Sequence, residues 1–114
     1  MKFVNEYDEE SRLLESKKIL LKYPSRIPII VEKYTNCELN EIKKKKYLVP
    51  KDMVMNQFIY IIRKRINLEP SQSLFIMINN KLVTSSDILG NIYDNESNKD
   101  GFLYMTYTSE NTFG

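Results

Sequence analysis

Apolar positions recur at helical spacing in the first two dozen residues. No Gly or Pro occurs before Pro24, and Tyr23-Pro24 ends the predicted helix because the residue before a proline avoids the helical region. A shorter helical turn over Phe3–Tyr7 precedes this helix. The leucine-rich part predicts one helical face, made of Leu13, Lys17, Leu20 and Leu21.

Two apolar runs then predict two strands. Arg26–Lys33 is rich in β-branched residues, as is typical of a strand. Pro28 cannot donate a ladder hydrogen bond, so we expect its end of the strand to lie at a sheet edge or to face a gap. Tyr47–Val49 predicts a short second strand, which Pro50 closes.

The second half combines one strong helix with short strands. Asn56–Ile66 is the clearest helix, with Phe58 and Ile62 four residues apart, and Asp52 is the local candidate for its N-cap. Further along, Asn79-Asn80 predicts a tight turn because Asn tolerates positive φ. The other predicted elements are a buried strand over Leu74–Ile78, a returning strand over Lys81–Val83, a helical turn over Ile88–Tyr93, a loop over Asn95–Gly101 and a final strand over Phe102–Thr108.

This order of elements predicts an α+β fold. Two strands, one long helix and a second pair of strands form the order of a ubiquitin-like β-grasp, here with an additional N-terminal helical segment. We expect a single domain over 1–114, with the helical segment at 1–24, the β-grasp core at 25–108 and a mobile tail at 109–114. The order of the strands within the sheet does not follow from the pattern.

Composition changes the picture mainly through charge. Residues 1–66 carry 15 Lys and Arg against 9 Asp and Glu, whereas residues 67–114 carry 2 against 6. The basic residues concentrate in Lys43–Lys46 and Arg63–Arg65. Such patches suit an acidic partner, a phosphate or an anionic surface, but they are equally typical of solvated charge runs. One cysteine, Cys37, fits a reducing compartment, and no run of ~18 apolar residues predicts a membrane span.

The chain lacks the residues of common catalytic sites. It contains no histidine, which excludes Ser–His–Asp and Cys–His nucleophiles and His-based zinc sites. Its three glycines are too scattered for a phosphate loop. We therefore expect no enzymatic activity, no metal site and no cofactor, and favour a binding or modifier protein.

Several blocks of the sequence resemble one family. Residues 22–33, Lys44–Pro50, Gln57–Ile66, Leu74–Asn80 and Phe102–Tyr104 are similar, in order and spacing, to the autophagy modifiers of the GABA-A-receptor-associated-protein and microtubule-associated light chain type. The resemblance covers essentially the whole chain. It departs from the family at Asn56, where Gly is usual, and near Val54, where a hydroxyl residue is usual.

The resemblance implies a groove that binds aromatic-x-x-aliphatic peptides as an added strand along Lys46–Val49. Three sets of residues carry over by position. The aromatic pocket comprises Glu15, Ile19, Pro28, Lys46, Leu48 and Phe102. The aliphatic pocket comprises Tyr47, Val49, Pro50, Met53, Phe58 and Ile61. A basic flank for acidic residues of the peptide comprises Arg26, Lys44 and Lys46.

The resemblance also implies conjugation of Gly114 to phosphatidylethanolamine by activating and conjugating enzymes. The chain would then be cytoplasmic, and membrane-associated when lipidated, on autophagosomes or, in some parasites, on a plastid. A non-conjugated adaptor that uses only its peptide groove is the alternative. A nucleic-acid or microtubule binder would rest on the basic runs alone, and we expect no nucleic-acid partner.

Overall fold

A computed structural model describes residues 2–109 of the chain. The predicted order of elements is confirmed, with small differences at the boundaries; the last helix, for example, includes the first two residues of the predicted loop. The helices are α1 (Lys2–Glu6), α2 (Glu9–Lys22), α3 (Met55–Arg65) and α4 (Leu89–Glu96). The strands are β1 (Arg26–Lys33), β2 (Lys46–Pro50), β3 (Phe75–Ile78), β4 (Lys81–Leu82) and β5 (Leu103–Thr108).

The strands form one mixed sheet in the order β2-β1-β5-β3-β4. β1 and β5 are parallel and central, and the remaining pairs are antiparallel. This is the predicted ubiquitin-like β-grasp. The order places β2 and β4 at the two edges, which the hydrophobic pattern alone did not predict.

The main core lies between the sheet and α3. Inward-facing residues of β1 and β5 pack against Phe58 and Ile62 of α3, and both of these side chains are fully buried. A smaller cluster of Phe3, Ile30 and Phe102 fills the opposite face of the sheet, beneath α1 and α2. The sheet is therefore covered by helices on both faces.

Helix α2 packs on the sheet through polar residues rather than through its leucines. Its buried residues are Arg12 and Ser16, whereas Leu14 is 54% and Leu21 84% exposed. Leu13 and Leu20 are only half-buried, and Lys17 is exposed. The predicted helical face of Leu13, Lys17, Leu20 and Leu21 is therefore not the buried face, because polar bonds attach the helix to the sheet.

Asp100, 1% exposed, forms most of that attachment. Its carboxylate accepts from Arg12 Nε at 3.1 Å, from the Tyr104 hydroxyl at 2.5 Å and from the backbone N–H of Phe102 at 3.0 Å. Its carbonyl oxygen accepts from the Ser16 hydroxyl at 2.5 Å. Burial, and then the bond to Asp100, raise the pKa of Tyr104 well above its usual range.

A second carboxylate fixes α1. Glu32 of β1 is buried and accepts hydrogen bonds from the backbone N–H groups of Lys2 and Phe3, both at 2.9 Å. These are unpaired donors of the first helical turn, which a carboxylate satisfies well. Phe3 is thereby held over Phe102, with ring centroids 5.2 Å apart.

Two local predictions about backbone geometry are confirmed. Asn79 and Asn80 adopt φ of 51° and 62°, which makes the tight turn between β3 and β4. Pro28 faces a gap: Val31 donates its N–H to Lys45 of the β2 side, so the nitrogen of Pro28 points to the β5 side. Pairing with β5 begins only at Ile29, so no ladder bond is lost.

The N-cap of α3 differs from the prediction. The cap residue is Val54 rather than Asp52, and it has no side-chain acceptor. Gln57 compensates, because its side-chain oxygen accepts the backbone N–H of Val54 at 3.0 Å.

Within residues 2–109, no helix is long and apolar enough to cross a bilayer. The predicted tail over 109–114, except for residue 109, and its terminal Gly114 lie outside the described residues.

Replacing Asp100 by Asn should lower the free energy of unfolding by about 3–5 kcal/mol, because it leaves the Arg12 guanidinium buried without its anion. Chemical denaturation measures the change. Glu96→Gln is the matched control: it breaks the exposed pair between Glu96 and Lys81 and should have a much smaller effect. Equal effects of the two substitutions would contradict this role for Asp100.

Candidate functional site

The outer side of β2 is unpaired with any described strand. β2 pairs with β1 alone, with Tyr47 opposite Ile29 and Leu48 opposite Pro28. The backbone bond from Val31 to Lys45, at 2.8 Å, and the bond from Lys51 to Ser25, at 3.0 Å, establish which β2 residues face β1. Because bonding directions alternate along an antiparallel strand, the N–H and C=O groups of Lys46 and Leu48 point away from the sheet.

This row of outward groups is short. The backbone of Pro50 also faces away from β1, as at Lys46 and Leu48, but proline has no N–H. The outward hydrogen-bond donors therefore end at Leu48. The Leu48 carbonyl accepts a hydrogen bond from Arg26 Nη1 at 3.3 Å. An incoming strand would therefore meet two donors and two acceptors, and Arg26 already contacts one of the acceptors, the Leu48 carbonyl.

The predicted aromatic-pocket residues lie together on the α2 side of the sheet. Alternation along β2 turns Lys46 and Leu48 towards α2, and Lys46 contacts the carboxylate of Glu15. Ile19 packs against the cluster that contains Phe102, and Pro28 lies directly opposite Leu48.

The predicted aliphatic-pocket residues lie mainly on the α3 side. Tyr47 and Val49 are buried towards α3, and the rings of Tyr47 and Phe58 meet edge to face with centroids 5.5 Å apart. Met53 and Ile61 are half-buried and pack against the same core. The side chain of Pro50 lies on the same face of β2 as those of Lys46 and Leu48. Pro50 comes near the aliphatic-pocket residues through its position at the end of the strand.

These residues divide into buried ones and half-buried ones that a ligand could contact. Phe58 and Phe102 are fully buried, and Tyr47, Val49 and Pro28 are also buried, so they expose little surface to a ligand. The accessible apolar surface beside the strand edge belongs to half-buried residues, namely Ile19, Leu48, Pro50, Met53 and Ile61.

The charged residues around the edge already have partners. The Lys46 ammonium contacts Glu15 and lies 5.6 Å from the centre of the Phe3 ring. The Lys44 ammonium lies 5.1 Å from the centre of the Tyr47 ring, and the Tyr47 hydroxyl donates to the Lys44 carbonyl at 2.7 Å. Burial raises the pKa of Tyr47, and the nearby charge of Arg65 opposes this increase only partly. Tyr47 is therefore neutral at physiological pH.

Phe3 belongs to this site and was not predicted. It lies under the Lys46 ammonium and completes the cluster with Ile30 and Phe102. No local pattern indicates its role, because its position depends on the backbone bonds from Lys2 and Phe3 to Glu32. Within residues 2–109, no group of His, Cys, Asp or Glu side chains could hold a metal ion.

Similarity to known proteins identifies the family of this chain. A family model described as autophagy protein Atg8, ubiquitin like, matches residues 11–114. The chain is similar to autophagy-related protein 8i of Arabidopsis thaliana, at 46% identity over 98% of this chain and 97% of that protein. Autophagy-related protein 8 of Schizosaccharomyces pombe is 46% identical over 98% of this chain and 93% of that protein.

A solved structure gives the same result for the fold. The crystal structure of Trypanosoma brucei ATG8 superposes with a TM-score of 0.92 at 38% identity, over 100% of this chain and 98% of that one. A match of this extent at the level of sequence and of structure shows common descent. The chain belongs to the Atg8 family of ubiquitin-like autophagy proteins.

Proposed function

We propose that this chain is a ubiquitin-like modifier, itself not an enzyme. Its Gly114 is joined to phosphatidylethanolamine, and its β2 edge recruits receptors that carry aromatic-x-x-aliphatic motifs to autophagosomal or, in some parasites, plastid membranes. The observation that carries the peptide-binding part is the unpaired edge of β2 between two sets of apolar side chains, one on each face of the sheet.

The spacing of the motif matches that geometry. In an extended peptide, side chains separated by three positions point to opposite faces. An aromatic residue would thus insert on the α2 side, against Ile19 and Leu48, while the aliphatic residue would lie on the α3 side, against Met53 and Ile61. The backbone groups of Lys46 and Leu48 would bond the peptide between these anchors.

The basic flank supports a preference for acidic peptides. Arg26 and Lys44 are exposed, and Lys46 is half-buried beside the edge. Glu15 competes with a peptide for Lys46, and the Leu48 carbonyl engages Arg26. Acidic flanking residues would exchange these internal contacts for intermolecular ones, which mainly affects association and specificity.

The proposed conjugation uses the chemistry of a terminal glycine. An activating enzyme uses ATP to adenylate the carboxylate of Gly114, and pyrophosphate is released. A cysteine of that enzyme displaces AMP to form a thioester, and a cysteine of the conjugating enzyme then takes over the thioester. The amine of the lipid displaces this second thiol to form an amide. Glycine has no side chain to obstruct these transfers. The match of the family model through residue 114 supports this assignment.

Two substitutions of Leu48 distinguish what its side chain and its backbone N–H each contribute to peptide affinity. Leu48→Ala should weaken an aromatic-x-x-aliphatic peptide by ~1–3 kcal/mol, the range for an interface anchor. Leu48→Pro should weaken it by at least ~1 kcal/mol more, because it also removes the outward N–H. The fold should tolerate proline here, since the lost donor faces away from β1. Titration calorimetry measures both affinities.

Val49→Pro is the control for that pair, because the N–H of Val49 points inwards to β1, so this variant should lose stability in a denaturant titration. If folded Leu48→Pro bound the peptide as tightly as Leu48→Ala, strand addition along β2 would be wrong.

The electrostatic prediction concerns Glu15. Glu15→Gln should release Lys46 and speed association of peptides with acidic flanks by at most about fivefold, the range for exposed ion pairs. Stopped-flow kinetics at low salt measures the rate. Glu9→Gln is the control, because it removes the same charge from α2. Glu9 pairs with Lys99 rather than with a residue of β2, so this substitution should change the association rate less. A gain of equal size for peptides with basic flanks would refute this role.

The conjugation prediction concerns Gly114. Deleting this residue should leave the fold and peptide binding unchanged but abolish thioester formation and recovery with phosphatidylethanolamine liposomes, because the reactive carboxylate is displaced. Incubation with the activating and conjugating enzymes and ATP tests this, with Leu48→Ala as a variant that should still be conjugated. If the parent protein binds the peptide but forms no lipid conjugate, the non-conjugated adaptor is correct.

A further inference from the structure

Helix α2 presents an apolar face to solvent. Leu14 and Leu21 are seven residues apart, two helical turns, and are 54% and 84% exposed. Leu13 and Leu20 lie beside them and are half-buried. Single exposed leucines are ordinary, but these four lie along one side of a 14-residue helix as two pairs, with the exposed Lys17 between them. We call these four residues the leucine face.

The leucine face cannot turn inwards without breaking buried bonds. On the opposite side of the helix, Arg12 is bound to Asp100, and Ser16 donates to the Asp100 carbonyl. The side chain of Asp8 caps the first turn by accepting the N–H of Ser11 at 2.8 Å. The helix is therefore held at both positions that determine its rotation, and the leucines stay at the surface.

The charges next to the leucine face are mainly positive. Lys17, Lys18 and Lys22 are exposed, and none of them forms an ion pair with another residue in the part of the chain that the structure describes. Of the acidic residues of the same helix, Glu9 and Glu15 are engaged with Lys99 and Lys46, and Glu10 is exposed one turn before Leu14. A ligand of this face would thus meet leucines and unpaired lysines together.

We propose that the leucine face and its lysines dock α2 on the surface of an anionic lipid bilayer. This inference rests on the proposed attachment of the chain to a membrane and specifies its orientation there. The leucines lie on a single convex helix, which suits insertion between headgroups, and lysine stems can lie along apolar surface while their ammonium groups reach lipid phosphates. Because the lipid anchor would keep the helix near the bilayer, a weak contact suffices.

Tryptophan fluorescence provides a direct test because the chain contains no tryptophan. Leu21→Trp places a reporter in the leucine face. Tyr60→Trp is the matched control: Tyr60 is 59% exposed on α3, which packs against the opposite face of the sheet. Both proteins carry a C-terminal polyhistidine tag and are bound to vesicles through a nickel-chelating lipid, so the result does not depend on Gly114 chemistry.

The vesicles contain phosphatidylcholine with or without phosphatidylserine, and brominated acyl chains serve as quencher. We expect the emission of Leu21→Trp to shift to the blue and to be quenched on phosphatidylserine vesicles, with little change for Tyr60→Trp. Adding Leu14→Ser should reduce the quenching. On vesicles without the chelating lipid, Lys17→Glu with Lys18→Glu should lower the affinity at least about fivefold for each lysine replaced, on the order of 1 kcal/mol each.

Three outcomes would overturn the proposal. The first is an unquenched Leu21→Trp on phosphatidylserine vesicles, and the second is equal quenching of Tyr60→Trp. The third is a blue shift of Leu21→Trp that grows with protein concentration in the absence of vesicles, which would mean that a second copy of the chain covers the leucine face. Circular dichroism confirms that each variant is folded. A negative result would leave conjugation at Gly114 and peptide binding at β2 unaffected.

Discussion

The buried carboxylate of Asp100 determines how the N-terminal helices meet the sheet. It lies just before β5 and binds Arg12 of α2, the N–H of Phe102 and the hydroxyl of Tyr104. A buried anion without such partners would be strongly unfavourable, so these bonds are what allow Asp100 to be buried. Gly101 fits the same constraint: its φ is 91°, and a Cβ there would lie 2.2 Å from the Ser16 hydroxyl.

Two features of the surface follow from this attachment. Because Arg12 and Ser16 face the sheet, Glu15 and Ile19 lie beside β2 and build one side of the candidate groove. For the same reason the leucines of α2 point outwards. One set of polar bonds therefore positions both the proposed peptide site and the proposed membrane face.

The exposed edge of β2 is available to a peptide but is also protected against unspecific strand pairing. Unpaired edge strands invite aggregation, and proteins limit this risk with short strands, lysines and prolines. β2 has five residues, begins at Lys46 and ends at Pro50, and its Leu48 carbonyl is contacted by Arg26. These features leave only a short segment open, so a ligand needs side-chain anchors in addition to backbone bonds, which favours specific peptides over indiscriminate strand pairing.

Local interactions decided the parts of this protein that the sequence predicted well. Phe58 and Ile62 specify α3 through their spacing, and Asn79-Asn80 specify a turn because Asn tolerates positive φ. Resemblance to the family identified the candidate site residues, which the hydrophobic pattern could not separate from ordinary core. The apolar period of α2 did not identify its buried residues, which are Arg12 and Ser16.

The sequence by itself thus determined which segments are helices and strands, because periodicity and turn chemistry act over a few residues. Only the tertiary structure decided that β2 is an edge, that Lys46 and Leu48 point outwards from it, and that Phe3 lies under Lys46. These properties depend on contacts between distant residues, such as the bond from Arg12 to Asp100 and the bonds from Lys2 and Phe3 to Glu32. Such contacts form only when the folded chain brings the partners together, and no local pattern records them.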